Sequence, residues 1–340
     1  MSDDNKLGVG IDIGTMNIVS ARMGAGESVT TKRVRDAFLD LDPSARKALK
    51  MGRVTFVEEG GQLVILGDSA LKMANLFKRE VRRPLAKGLI SAGELDAQKI
   101  LGHLIFSVLD NPRSLGEHCF YSVPAEPLDI SDQDVVYHTE VFRKLIEVYG
   151  YVAHPTNEAM AIVYSQCANE GFSGLAISYG SGMVNAALSY QATQFMAFSL
   201  ARGGDWVDAH AAKALGATAA HVCAIKESGG FNLSSPPSNN REAEAIALYI
   251  RSLIRYSLEK IAEKVRVERI GTELTESIPL VVSGGATLAM GFLNVFNEEL
   301  EIVKKKGFPI PISVVRRATD PMCAVAEGLL VLANQEHEEG

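Results

Sequence analysis

The sequence predicts an α/β protein made of two similar halves around a cleft, and three observations lead there. Strand-like and helix-like stretches alternate along the chain, the order expected of sheets covered by helices. The stretch Leu7 to Met23, LGVGIDIGTMNIVSARM, has a counterpart in Gly174 to Leu188, GLAISYGSGMVNAAL: setting Asp12 over Ser178 places Gly14 over Gly180. Such duplication is expected where one ligand is clamped between two similar half-molecules. Finally, 340 residues should split into two domains rather than grow a single core.

In the first stretch an apolar run (Leu7, Val9, Ile11, Ile13) carries one acid, Asp12, reaches Gly14-Thr15 and resumes at Ile18, Val19 and Ala21. This reads as strand, tight turn, strand. The glycine lets the turn bend and brings backbone N–H groups close to an anion, while a carboxylate at the strand end suits a hydrated divalent metal. That pairing is what a nucleotide triphosphate requires. Alone it describes a hairpin with a solvent-facing Asp equally well; the second copy favours the ligand.

Apolar content of 47% with 22% charged residues is ordinary for a soluble globular protein. No run approaches the roughly 18 to 20 apolar residues that span a bilayer. The opening MSDDNK is too acidic and polar for a signal peptide or an amphipathic anchor, so a cytoplasmic location is expected. Cys119, Cys167, Cys223 and Cys323 lie far apart without a CxxC and read as buried free thiols. A net charge of −7 argues against gripping nucleic acid through its phosphates, and the short basic stretch Lys78 to Arg83 reads as solvated surface.

After the first hairpin, Val29 to Val34 should complete a three-stranded meander. A small inserted subdomain follows, with a helix at Ser44 to Met51 started by Asp42-Pro43, strands at Arg53 to Glu58 and Gln62 to Leu66, and a helix at Ser69 to Lys78. Pro84 to Ile90 is extended, a helix spans Glu94 to Leu109, and the buried strand Cys119 to Val123 ends at Pro124. Ser131, Asp132 and Asp134 open a helix to Tyr149, and another begins near Asn157 with Glu158 in its first turn. That carboxylate either complements the helix dipole or points into the cleft to position a water.

In the second half, strand Gln194 to Leu200 runs into Arg202-Gly203-Gly204-Asp205 and a helix, Trp206 to Leu215. A glycine pair before a helix can admit phosphate or ribose, or simply turn the chain. Helices follow at Ala219 to Glu227, ended by Gly229-Gly230, and at Arg241 to about Arg266, across the loop Ser234 to Asn240. Strand Pro279 to Val282 ends in Ser283-Gly284-Gly285-Ala286 with a helix expected from Thr287, a geometry in which a flat nucleoside lies on bare backbone. Strand Ile312 to Val315, helix Pro321 to Ala333 and a frayed acidic tail from Gln335 close the chain.

Together these stretches resemble the actin, DnaK-type chaperone and sugar-kinase superfamily over nearly the whole chain. GIDIGTMN from Gly10 looks like its first phosphate loop, TNEAMA from Thr156 its connecting helix and SYGSGM from Ser178 its second phosphate loop. RGGDWVD from Arg202 and SGGA from Ser283 look like its ribose-side and adenosine motifs, and Ile225-Lys226-Glu227 matches the Ile-Lys-Glu found where actins contact the nucleoside. Length and inserts, with RRPLAKGLI from Arg82 and VCAIKESGGF from Val222, favour bacterial actins of the MreB and MamK kind.

The resemblance implies duplicated actin-like (ribonuclease H-like) domains. The first is 1–153 with an insert at about 34–83, completed by the C-terminal helix 321–340; the second is 154–320 with an insert at about 206–268. ATP or ADP with Mg²⁺ is implied in the cleft. Asp12 would hold the metal through water, and Gly14, Thr15, Met16 and Asn17 with Ser178, Gly180, Ser181 and Gly182 would surround the phosphates. Glu158 would orient the lytic water, Gly204 and Asp205 would lie on the ribose side, Lys226 and Glu227 would meet the nucleoside, and Gly284, Gly285 and Ala286 would seat the adenosine. Ser178 and Met183 stand where the family's second loop usually has Asp and Thr, so nucleotide binding should survive while hydrolysis weakens.

The expected function is a filament-forming, ATP-binding cytoskeletal protein whose partner is itself, head to tail, with an adaptor or cargo protein possible and no direct contact to nucleic acid. A nucleotide-locked scaffold without turnover is a variant of this reading. The alternative is a small-molecule phosphotransferase or activator ATPase on the same fold.

Overall fold

The computed structural model describes residues 8–24, 28–77, 79–94, 96–130, 135–237, 239–270 and 276–339, except the side chains of residues 75 and 337–339. The expectations for MSDDNK, Leu7, Lys78, Ser131, Asp132, Asp134 and Gly340, and parts of those for the 94–109 helix and the 234–240 loop, fall outside these residues.

The first half opens with β1 (Val9–Ile13), β2 (Asn17–Met23) and β3 (Val29–Arg35), an antiparallel meander. The insert then runs through β4 (Phe38–Leu41), a 3₁₀ turn at Pro43–Ala45 capped by the Asp42 side chain, α1 (Arg46–Met51), β5 (Phe56–Glu59), β6 (Gln62–Leu66) and α2 (Asp68–Phe77). Pro84 to Ile90 is not one extended run: β7 (Leu85–Ala86) and β8 (Leu89–Ile90) form a hairpin tipped by Lys87-Gly88. Then come α3 (Ala97–Leu109), β9 (His118–Val123), α4 (Val135–Glu147), β10 (Val152–Asn157) and α5 (Glu158–Gln166).

The second half repeats the plan with β11 (Gly174–Tyr179), β12 (Val184–Tyr190) and β13 (Thr193–Leu200), followed by α6 (Gly204–Leu215), α7 (Ala219–Glu227) and α8 (Arg241–Val267). It closes with β14 (Ile278–Ser283), α9 (Phe292–Lys305), β15 (Ile312–Arg317) and α10 (Ala324–Glu339). The two main sheets, ordered β10-β9-β1-β2-β3 and β13-β12-β11-β14-β15, share one topology: a meander followed by two strands added in parallel. The duplicated hairpins also share their register. Asp12 pairs with Val19 as Ser178 pairs with Asn185, and Ile13 with Ile18 as Tyr179 with Val184.

Two expectations at the C-terminal end are corrected. No α-helix starts at Thr287; Gly285–Leu288 is a 3₁₀ turn and the helix waits for Phe292, because Thr287 spends its hydroxyl on the Gly284 carbonyl and closes a tighter turn. Nor does the last helix run from Pro321 to Ala333: α10 starts at Ala324 and continues to Glu339.

The insert sheet β4-β6-β5 has its own apolar cluster around Leu39, Leu49, Leu63 and Ile65. By contrast, α6, α7 and α8 in the 206–268 region share one continuous core with the second sheet and α9. Between the main sheets the last helices are exchanged. α5 follows the first sheet but packs on β11 and β12, while α10 follows the second sheet but packs on β1, β2 and β9. The two helices cross where Gly328 lies so close that a Cβ would overlap the Ala161 carbonyl, so only glycine permits the contact. Cys119, Cys167 and Cys323 are buried and Cys223 half-buried, all free thiols.

Candidate functional site

The duplicated hairpins bring their turns to one cavity of about 570 Å³, within the usual size of a small-molecule site. Asp12, Gly14, Thr15, Met16, Asn17, Glu158, Ser178, Gly180, Ser181, Gly182, Gly204, Lys226, Glu227, Gly284, Gly285 and Ala286 all line it. Asp205 does not; it lies behind the second turn.

Asp12 sits on β1 beside the parallel strand β9, and that pairing supplies its partner. Ser122 Oγ donates to Asp12 Oδ1 at 2.7 Å while accepting the Ile13 N–H at 2.9 Å. Burial pushes the Asp12 carboxyl up to about 6, with the Ser122 hydrogen bond pulling the other way.

Glu158 opens α5, whose first turn is capped by the Asn157 side chain accepting from the Ala159 and Met160 N–H groups. The carboxylate does more than complement the helix dipole. It lies half-buried on the cavity wall and accepts from Asn185 Nδ2 at 2.8 Å; Asn185 Oδ1 in turn accepts from Ser199 Oγ on β13. Burial and the neighbouring Asp12 charge push Glu158 up to about 8, opposed by the Ser178 hydroxyl. Two half-buried carboxylates on one wall form a place where positive charge would be welcome.

The second turn is braced from behind by the N-terminus of α6. Gly204 N–H donates to Gly180 O and Asp205 N–H to Ser181 O, both at 2.9 Å, and Ser181 Oγ donates to Asp205 Oδ1 at 2.7 Å. Lys226 lies on the wall, but its ammonium is engaged by Asp208 Oδ1 and Oδ2 at 2.8 and 2.9 Å. At the far end Gly284 takes φ +91°, where a side chain would also meet the Tyr179 carbonyl, leaving bare backbone facing the cavity. Its N–H and the Ser283 hydroxyl both donate to Pro321 O, which brings Pro321 and Met322 onto the wall.

Several wall residues escaped the sequence reading: Ser122, Asn185, Gly88, Arg35, Met290 and Met322. Gly88 N–H donates to Thr15 Oγ1 at 3.1 Å and its Cα lies against Met183, so the β7–β8 tip sits between the two turns. The basic stretch before it is not simply solvated surface either: Arg82 pairs with Asp40 and Glu94, and Arg83 reaches Asp205 Oδ2 at 3.0 Å from the opposite half.

The wall fits a magnesium nucleotide. The turn residues Gly14, Gly180 and Gly182 put bare backbone on the wall, and the two carboxylates suit a cation.

Comparison with known proteins adds to this geometry. The sequence model of the Volactin family matches residues 7–333. Among solved structures, a MamK double helical filament superposes with a TM-score of 0.69 at 18% identity, covering 97% of this chain and 99% of that one. MreB 5 of Spiroplasma citri bound to AMPPNP gives 0.67 at 15% identity, covering 99% and 98%. The ethanolamine utilization protein EutJ from Carboxydothermus hydrogenoformans gives 0.53 at 16%, covering 95% and 89%. The fold is therefore actin-like. No curated protein sequence matches.

Proposed function

The chain belongs to the Volactin family, and on that footing we propose that it is an actin-like protein that binds ATP or ADP with Mg²⁺ and assembles head to tail with its own copies. The observation carrying this reading is the meeting of two register-matched glycine turns, Gly14-Thr15 and Gly180 to Gly182, over Asp12 and Glu158. The solved relatives with AMPPNP and the MamK filament lend support by their fold. No described helix is long and apolar enough to cross a membrane; a cytoplasmic location is part of the proposal.

In this reading residues 1–153 with 321–340 form one half and 154–320 the other, hinged where α5 and α10 cross. The amides of both turns and the Thr15 and Ser181 hydroxyls hold phosphate oxygens. Asp12, fixed by Ser122, would hold a magnesium ion through water. Gly204 lies near the ribose, while Gly284 to Ala286 with Met290 and Met322 offer the nucleoside a flat apolar seat. Glu158, fixed by Asn185, orients a water. Bound magnesium triphosphate would supply the electrophilic phosphorus and the cation that neutralises its charge. Ser178 supplies a hydroxyl where the superfamily resemblance implies a carboxylate, so turnover is slow.

Closure of the cleft moves the insert, and an insert meeting the opposite end of the next copy makes a heterologous contact that grows into a filament. Titration calorimetry with ATP and magnesium, on the wild type and on Asp12→Ala, tests the site: a loss of at least about tenfold in affinity, roughly 1.4 kcal/mol, is expected for the variant. Electron microscopy of the same samples tests assembly. A protein that stays monodisperse with ATP and magnesium and phosphorylates a small metabolite would replace this reading with the phosphotransferase one.

A further inference from the structure

Arg83 and Asp36 are not used by the nucleotide reading, yet their placement is unusual. Asp36, between β3 and the insert, is fully buried, and neither carboxyl oxygen has a hydrogen-bond partner among the described residues. Burial pushes this carboxyl well above the usual carboxylate range, eased only by the nearby Leu85 N–H, whose geometry falls short of a hydrogen bond, and by the Arg83 charge. A buried carboxyl short of partners is costly, and a nearby guanidinium with five donors is the group best able to relieve it. In this structure Arg83 instead reaches across the cleft to Asp205 Oδ2 at 3.0 Å.

We propose that Arg83 is a two-position latch: it pairs with Asp205 when the cleft is closed and moves to Asp36, in its own half, when the cleft opens. Each end of this switch touches a turn of the cavity. Asp205 receives the Ser181 hydroxyl and gives its N–H to the Ser181 carbonyl, so a ligand that takes over the Ser181 hydroxyl leaves Asp205 to Arg83 alone and strengthens the closed pairing. Asp36 donates its backbone N–H to Met16 O in the first turn. Arg83 also leads directly into the β7–β8 hairpin whose tip, Gly88, donates to Thr15. A second cross-cleft pair, Arg35 Nη2 to Glu227 Oε2 at 3.3 Å, helps hold the closed arrangement. Two discrete partners for one side chain make the bistable element that a cleft needs in order to switch rather than drift.

The latch predicts opposite effects from removing its arginine and from removing its open-state acceptor. Arg83→Ala should release a fluorescent ATP analogue about tenfold faster. Asp36→Asn, which removes the competing acceptor charge, should slow release several-fold, and Asp36→Asn in the Arg83→Ala background should do nothing further. This readout rests on the nucleotide reading, so a second one does not: the distance between spin labels at Lys47→Cys and Lys213→Cys, with Cys223→Ser, in nucleotide-free protein. It should lengthen with Arg83→Ala and shorten with Asp36→Asn. If the wild type binds no nucleotide, the nucleotide reading fails and the distances alone decide the latch. Unchanged distances, or an Asp36→Asn effect that persists without Arg83, would overturn it and leave Asp36 a purely structural group.

Discussion

Asn185 holds Glu158: its side-chain amide donates to Glu158 Oε2 at 2.8 Å, tying the first turn of α5 to the inner strand β12 of the second sheet. Ser199 fixes the Asn185 amide in turn, so the carboxylate is aimed by a chain that starts two strands away from the first turn of α5. Losing an aiming group typically costs about 10- to 100-fold in rate while leaving binding largely intact. Asn185→Ala should therefore lower ATP turnover by about that factor with nucleotide affinity changed less than about threefold. A parallel loss of affinity would show that Asn185 holds the cavity wall and not the carboxylate.

The nucleotide-free protein should lose stability as pH rises. Glu158 and Asp12 titrate higher when folded, at about 8 and about 6, than their ordinary values near 4. The folded state therefore holds their protons more tightly. Its advantage is complete below about pH 4 and is lost as pH rises through 6 for Asp12 and on through 8 for Glu158. Glu158→Gln should flatten the upper part of this profile and be the more stable protein at pH 8.5, by on the order of 1 kcal/mol. Urea denaturation of both proteins from pH 5 to 8.5 reads the slopes; parallel profiles would remove Glu158 as their source.

Ser178→Asp should separate binding chemistry from folding cost. Ser178 is buried beside Glu158 and pairs in register with Asn185. A carboxylate there adds a third acid to the same wall, so the nucleotide-free variant should melt several degrees lower. With magnesium and ATP most of that deficit should return, and turnover should rise about 10²- to 10³-fold. A variant that neither melts lower nor turns over faster would mean that Ser178 already does the work of the acid.

Gly328→Ala should damage the seam between the halves. Its Cβ would overlap the Ala161 carbonyl, backbone that cannot move without shifting α5 or α10. Overpacking of this kind costs about 1–3 kcal/mol or more, against at most about 0.5 kcal/mol for Gly93→Ala, whose Cβ would meet only the Ser91 hydroxyl at 3.8 Å. Thermal melts of the two variants make the comparison, and equal melting temperatures would show that the crossing can relax.

Much of the site was legible in the residues themselves because its parts are local. A strand ending in Asp-Ile-Gly-Thr and another ending in Ser-Tyr-Gly-Ser-Gly announce their turns, and the register pairs Asp12–Val19 and Ser178–Asn185 bear out the alignment of the two hairpins. The Leu85–Ile90 hairpin was harder to read, since strands of two residues are too short for an alternating pattern to register. The turn at Gly285–Leu288 reads as a helix start in the sequence because glycines before a helix and glycines before a 3₁₀ turn look alike; the Thr287 hydroxyl decides between them.

By itself, then, the sequence determined the α/β class, the duplication and the turns at the two ends of the cavity wall, because strand alternation and turn chemistry act over a few residues. Only the tertiary structure decided what stands behind that wall. Ser122 reaches Asp12 from 110 positions away, Arg83 reaches Asp205 from 122, and α5 and α10 exchange sheets so that each half is closed by a helix that follows the other. Such partners are set by which strands lie parallel and how two helices cross, and no local pattern in the chain carries that information, because its energy arises only when distant segments are brought into contact.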